Sequence, residues 1–306
     1  MENNNGLTLP NFICIGAQKT GTTSLYHILK AHPEITVSEP RKETKFFYRD
    51  EEYKLGLEFY SHFFEHGKNA KAIGEFDPDY LFFPYVPERI YKNLGADMKF
   101  IVMFRNPVDR AYSQYNMSVR KGFENLSFED ALLKEKERLR SVNITEQNNF
   151  SYISRGQYDE QLKRYFNFFP KENFLFINYD DEFQNDLQGT LKKIFHFLGV
   201  AEIELDINIK ANSATEAKST TLNKLVRKKS SLRNLAAMMV PSAELRRKIR
   251  KRIIKWNKKE TTVAPLSDNL REALYHRYFE ESITQLEKTV GRNFASWKVE
   301  PVNHEQ

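Results

Sequence analysis

Residues 11–29 read NFICIGAQKTGTTSLYHIL, and the order of residue types in that stretch decides the fold. The run 11–15 is short, apolar and bounded by Pro10 and Gly16, the pattern of a buried strand. Residues 16–21 form a polar, glycine-bounded turn. From Thr22 a helix follows, with Leu25, Ile28 and Leu29 on one face until Pro33 stops it. Strand, glycine-containing loop and helix, in that order, open a nucleotide-binding α/β domain.

The same alternation continues along the chain. Apolar runs at 70–74, 100–104 and 174–179 predict three further strands, and helical spacing of apolar residues appears at 109–121, 128–140, 157–168 and 187–198. Late in the sequence Leu270, Leu274, Tyr278, Ile283, Leu286 and Val290 recur at three- to five-residue steps before Gly291, which predicts a closing helix within 267–298. The expected architecture is α/β: a parallel sheet flanked by helices, a P-loop-like nucleotide-binding fold with a helical C-terminal portion, in one domain over 1–306.

Composition narrows the classes. The 306 residues are 40% apolar and 29% charged, enough to bury a core and unlike a disordered tail. No apolar run reaches the length of about 18 residues that a membrane span needs, and MENNNGLTLP lacks the basic-then-apolar order of a secretory leader, so a cytoplasmic location is expected. The lone Cys14 excludes an intramolecular disulfide and a cysteine-cluster zinc site, and the seven histidines show no paired ligand spacing. The net charge of +6 hides an asymmetry. Residues 222–259 hold 14 Lys and Arg against Glu244 alone, a segment charge of +13. The remainder has 33 basic and 40 acidic residues, or −7. Within that segment Leu245, Ile249, Ile253 and Trp256 form one apolar stripe among basic residues. Such a helix packs on the fold, meets an anionic acceptor or nucleic acid, or lies as a peripheral anchor on a membrane.

The loop at 16–23 has the two glycines of a Walker motif, but Thr22 stands where that motif needs lysine, and the lysine is inside the loop as Lys19. Unpaired N–H groups at a helix start still make an anion cradle, to which Thr20, Thr22, Thr23 and Ser24 add hydroxyls. No apolar strand ends in the aspartate that magnesium-dependent phosphoryl transfer needs, and the strand at 100–104 leads instead into Arg105. Arg105 falls at the carboxyl edge where open α/β sheets bind ligands. Ser113 follows in a helix beginning near Val108 or Asp109, so Arg105 and Ser113 can converge on one anion. A loop that only caps a helix, and an arginine that pairs with a structural carboxylate, are the plainer readings.

Together, GAQKTGTTSLYHIL (16–29) and FRNPVDRAYSQY (104–115) resemble the sulfotransferases that use 3'-phosphoadenosine 5'-phosphosulfate (PAPS), in particular the heparan sulfate type and its bacterial relatives. RKETKFF (41–47), GEFDPDYL (74–81), RGQYDEQLKRYFNFFP (155–170), FLFINYDD (174–181) and LEKTVGRNFASW (286–297) are similar to further blocks of that family. The resemblance implies that Lys19, Thr20, Gly21, Thr22, Thr23 and Ser24 hold the 5'-phosphosulfate, with Lys19 stabilising the leaving group. It also implies that Arg105 and Ser113 hold the 3'-phosphate. Lys218, in NSATEAKSTTLNKL, resembles the basic residue of a late loop that closes over that phosphate; a solvated lysine is the alternative.

Sulfuryl transfer needs donor and acceptor in line, charge neutralised on the leaving phosphate, and the attacking group deprotonated. Glu43 is the candidate base: the family places its catalytic glutamate in a similar block, whereas the charges alone also fit an exposed loop. Lys42, Lys45, Asp77 and Tyr158 are expected acceptor contacts, with helix packing the alternative for Tyr158; Glu75, Asp77 and Asp79 either bind acceptor hydroxyls, or Asp77 and Asp79 only punctuate a turn around Pro78. Three departures fall where the family faces its acceptor: Lys45 in place of a frequent histidine, Tyr48 in place of aspartate, and Phe76 in place of lysine. The expected activity is metal-free transfer of a sulfuryl group from PAPS to a hydroxyl or amine, on a glycan or glycolipid. The competing readings are a P-loop small-molecule kinase and a non-catalytic protein binding nucleic acid through 222–259, the less favoured partner.

Overall fold

The computed structural model describes residues 6–141, 143–205 and 264–299, and the backbone of Thr215–Ala217 and Lys258–Glu260. Lys218 and residues 222–257 of the basic segment lie outside the described residues. The chain packs as two compact units, one of Met1–Ala111, Ile153–Ile209 and Asp268–Gln306, the other of Tyr112–Tyr152 and Lys210–Ser267.

The first unit is built on five parallel strands: β1 (Phe12–Gly16), β2 (Ile35–Val37), β3 (Ala72–Phe76), β4 (Lys99–Phe104) and β5 (Phe174–Asn178), in the order β2-β3-β1-β4-β5. All five residues of β1 are buried, which is why its sequence is continuously apolar rather than alternating. From β1 the chain winds to one side through β2 and β3, then crosses to β4 and β5 on the other. The carboxyl ends of β1 and β4 therefore flank the switch point at which such sheets bind ligands. Phe12 pairs with Gly74 of β3, where a Cβ would lie 2.0 Å from the Phe12 ring, so only glycine lets these strands close around that side chain.

Two strands differ from the expectation. β2 is only three residues long, below the run length that separates a strand from chance. β3 runs two residues later than 70–74, because it contains Glu75, a fully buried carboxylate that an apolar pattern does not admit. The closing element also differs. It consists of a helix Asp268–Leu274, a π turn Tyr275–Phe279 and a helix Glu280–Val290 ended by Gly291 at φ 70°. The extra residue of the π turn moves the buried stripe onto Leu274, Tyr275, Phe279, Ile283, Leu286 and Val290, leaving Tyr278 half-buried.

In the second unit the helices Phe128–Arg138 and Ile144–Phe150 pack with the part of the helix Pro107–Lys121 that follows Ala111. Buried Glu124 ties them, accepting from Arg138 Nη1 (2.5 Å) and from the Tyr152 hydroxyl (2.8 Å). Thr215–Ala217 pairs antiparallel with Lys258–Glu260. Among the described residues no helix is long and apolar enough to cross a membrane.

Candidate active site

The loop after β1 is shaped for an anion. Gly21, at φ 80° and ψ 8°, precedes the helix α1 (Thr22–Leu29), whose first turn holds no acidic residue and whose N-cap, being glycine, has no side chain to cap it. A Cβ at Gly21 would lie 2.6 Å from the Tyr179 ring, so this position needs glycine for both conformation and space. Lys19 also has a left-handed backbone, φ 75°, uncommon for a residue with a Cβ and the kind of strain that clusters at functional sites. Buried Thr20 donates its hydroxyl to Ala17 O (2.6 Å) and so closes the loop on itself. Thr22, Thr23 and Ser24 occupy the first turn of α1.

Arg105 leaves β4 beside this loop. Its Nη1 donates to Lys19 O (3.4 Å), its guanidinium lies 5.2 Å from the centre of the Tyr179 ring, and its Nε is 3.6 Å from Asp180 Oδ1. Asp180 accepts the Asn106 N–H (3.0 Å), and burial raises its carboxyl above the usual aspartate range. Tyr158, the first residue of the helix Tyr158–Phe166, is buried and donates its hydroxyl to Arg105 O (2.9 Å). The structure thus sets Tyr158 against the arginine rather than on an open acceptor surface. Ser113 lies half-buried on the helix Pro107–Lys121, in the second unit.

The segment 41–48 is anchored from below. Thr44 donates both its N–H (3.1 Å) and its hydroxyl to Glu75 Oε1, which also accepts from the Tyr80 hydroxyl (2.9 Å); Tyr60 donates to Glu75 Oε2 (2.5 Å). Lys45, at φ 67°, donates its N–H to Asp77 Oδ2 (3.1 Å), and Asp77 Oδ1 accepts the Asp79 N–H (3.1 Å). Phe46 stacks on Tyr60 with centroids 4.5 Å apart, and Tyr48 on Phe83 at 4.9 Å. Glu43 emerges from this anchored stretch with its side chain 38% exposed. Lys42 Nζ donates to Thr22 Oγ1 (3.3 Å) and Thr23 Oγ1 (3.2 Å) and lies 3.4 Å from Glu43 Oε1. Base candidate and anion loop therefore share one ammonium.

The three carboxylates of GEFDPDYL form the underside of the site. Burial pushes Glu75 up to about 7 despite its four donors, and burial with Asp79 and Glu43 nearby pushes Asp77 well above the aspartate range. Asp79 accepts from buried Arg155 Nη1 (2.8 Å), whose guanidinium also covers Phe82 at 4.4 Å. Glu75 and Asp79 are thus engaged internally rather than offered to acceptor hydroxyls, and Asp77 makes the turn at Pro78. Arg155 and Tyr60 were invisible as site residues, because their partners are 76 and 15 residues away and no local pattern links them. Buried Cys14, its thiol pushed up to about 12, is an inert part of β1.

This geometry, a glycine-bounded anion loop at the switch point of a parallel sheet with an arginine at the next strand end, defines a nucleotide-binding α/β protein without the Walker lysine. A sulfotransferase domain model matches residues 9–277, and the chain belongs to that family. Mouse heparan sulfate glucosamine 3-O-sulfotransferase 3B1 is 30% identical over 200 residues, 65% of this chain and 48% of that protein. Membrane-associated sulfotransferase kil1 of Dictyostelium discoideum is 39% identical over 117 residues, 37% of this chain and 24% of that one. The chain spans about half the length of the heparan sulfate relatives it matches. A crystal structure of a sulfotransferase from Alicyclobacillus acidocaldarius superposes with a TM-score of 0.68 at 27% identity, covering 95% of this chain and 99% of that one.

Proposed function

We propose that the protein transfers a sulfuryl group from PAPS to a hydroxyl or amine of a carbohydrate or glycolipid. One observation carries this reading: two anion-holding elements, the Lys19 loop and Arg105, meet within 3.4 Å at neighbouring strand ends. A donor with anionic groups at both its 5' and 3' positions fits that pair; a nucleotide lacking the 3'-phosphate uses only half of it. The donor set of ammonium, guanidinium, hydroxyls and helix N–H groups suits such a polyanion. Lys19 and residues 20–24 would hold the 5'-phosphosulfate, and Arg105 with Ser113 and Lys218 the 3'-phosphate.

PAPS supplies a sulfuryl group on a phosphate leaving group. Glu43 takes the proton from the attacking acceptor as the new bond to sulfur forms and the bond to the 5'-phosphate oxygen breaks. Lys19 neutralises the charge which that oxygen retains with the electron pair, and Glu43 then returns its proton to water. The glucosamine acceptors in the names of the heparan sulfate relatives support a glycan here. Residues 222–259 would present an anionic acceptor or a membrane surface to a cytoplasmic enzyme; nucleic acid is not a partner in this scheme.

Calorimetric titration with 3'-phosphoadenosine 5'-phosphate (PAP), ADP and adenosine 3'-monophosphate tests the reading. PAP should bind at least about tenfold more tightly than either, since each missing phosphate removes charge-assisted hydrogen bonds. Equal affinity for PAP and ADP refutes it.

A further inference from the structure

Lys42 was expected among the acceptor contacts, but its surroundings belong to the donor side. The side chain is 16% exposed, and its ammonium reaches the hydroxyls of Thr22 and Thr23 in the first turn of α1. Its backbone is tied to the same helix: Ser38 Oγ donates to Lys42 O (2.7 Å), and Tyr26 of α1 donates to Ser38 O (2.9 Å). The position is therefore built rather than sampled by a loose surface chain.

Among the described residues the one carboxylate paired with this ammonium is the partly exposed Glu43. A helix N-terminus carries roughly half a positive charge, so an ammonium placed over it is repelled, and two neutral hydroxyls return little. Glu43, 3.4 Å away, offsets part of that charge but is itself 38% exposed. An anion seated between the helix start and the ammonium relieves the repulsion on both sides. The threonine hydroxyls can accept from Lys42 and donate to that anion at once.

Resting on the PAPS reading, we propose that Lys42 is a second cationic contact to the 5'-phosphosulfate, and that through Glu43 it positions the base against the sulfur held over α1. Lys19 would approach from within the loop and Lys42 from the segment 41–48, so donor binding and base placement are coupled by one side chain.

The test is a ligand-by-mutation cycle on the full chain. Wild type, Lys42→Met and Lys42→Arg are titrated with PAP and with adenosine 3'-monophosphate, which lacks the 5'-phosphate. Lys42→Met should lose about 10- to 100-fold in affinity for PAP and less than about threefold for the 3'-monophosphate, with Lys42→Arg recovering most of the loss. At saturating PAPS, kcat of Lys42→Met should still fall at least about tenfold, as expected when a positioned base is set loose. Unchanged PAP affinity, or an equal loss for both ligands, overturns the donor contact; unchanged kcat at saturation overturns the tie to Glu43. A wild type that does not prefer PAP to the 3'-monophosphate fails earlier and sinks the PAPS reading itself.

Discussion

Replacing Glu75 by Gln removes one buried titration while keeping the shape of the side chain. Glu75 is fully buried, with Thr44 and Tyr80 on one oxygen and Tyr60 on the other. Its four donors favour the carboxylate, yet burial outweighs them and raises the carboxyl from 4.5 to about 7. The folded protein therefore holds this proton where the unfolded chain has released it. Stability from the group is fully present below about pH 4.5 and is lost as the pH rises through about 7. At about 1.4 kcal/mol per pH unit, that displacement amounts to about 3 kcal/mol. Gln titrates nowhere, so urea unfolding of wild type and Glu75→Gln at matched pH isolates the effect. Between about pH 4.5 and 8 the difference should move by about 3 kcal/mol in favour of the variant. Neighbouring Asp77, raised in part by Glu75, changes in the same direction when that charge is removed. Parallel stability curves for the two proteins would refute the reasoning.

Gly21→Ala must hold φ 80° with a Cβ 2.6 Å from the Tyr179 ring, and should lose about 1–3 kcal/mol in urea unfolding; an unchanged midpoint contradicts the packing described. Arg155→Met leaves Asp79 buried without its cation and should cost about 3–5 kcal/mol, much of it recovered in the Asp79→Asn, Arg155→Met double variant. If the double variant is no more stable than the single, the ion pair is not the cause. Glu43→Gln should lower sulfuryl transfer at least about 100-fold while PAP affinity stays within about threefold, and retained turnover removes Glu43 from the mechanism.

The strands β1, β4 and β5 were legible because a parallel sheet buried on both faces leaves unbroken apolar runs. Glu75 hid part of β3, since its hydroxyl partners come from elsewhere in the chain and only the fold reveals them. Lys19 and Arg105 were legible for a different reason: each sits in a local motif. Their meeting was not, because it depends on the pairing of β1 with β4, 86 residues apart at the contact. Nor does any residue type announce the left-handed backbones of Lys19 and Lys45, which most lysines never adopt. In RKETK the alternating charges read as a solvated face. That is true of exposed Arg41 and false of Lys42, and only contacts separate the two.

The departures at 45, 48 and 76 gain a different weight once burial is known. Phe76 is fully buried, meeting Phe12 edge-on at 6.1 Å and Tyr26 at 5.6 Å, so it extends the core around β1. Tyr48 is 1% exposed and stacked on Phe83. Neither can touch an acceptor without unpacking, and both are core substitutions rather than changes of acceptor surface. Lys45 alone is half-buried, and among the described residues no carboxylate pairs with its ammonium. Its backbone is fixed by Asp77, so the side chain leaves from a set point one residue beyond buried Thr44 and two beyond Glu43. If Glu43 is the base, a cation so close to it would favour an acceptor with negative charge near the attacking group. Of the three departures, Lys45 is therefore the residue whose exchange should alter acceptor choice while leaving the affinity for PAP unchanged.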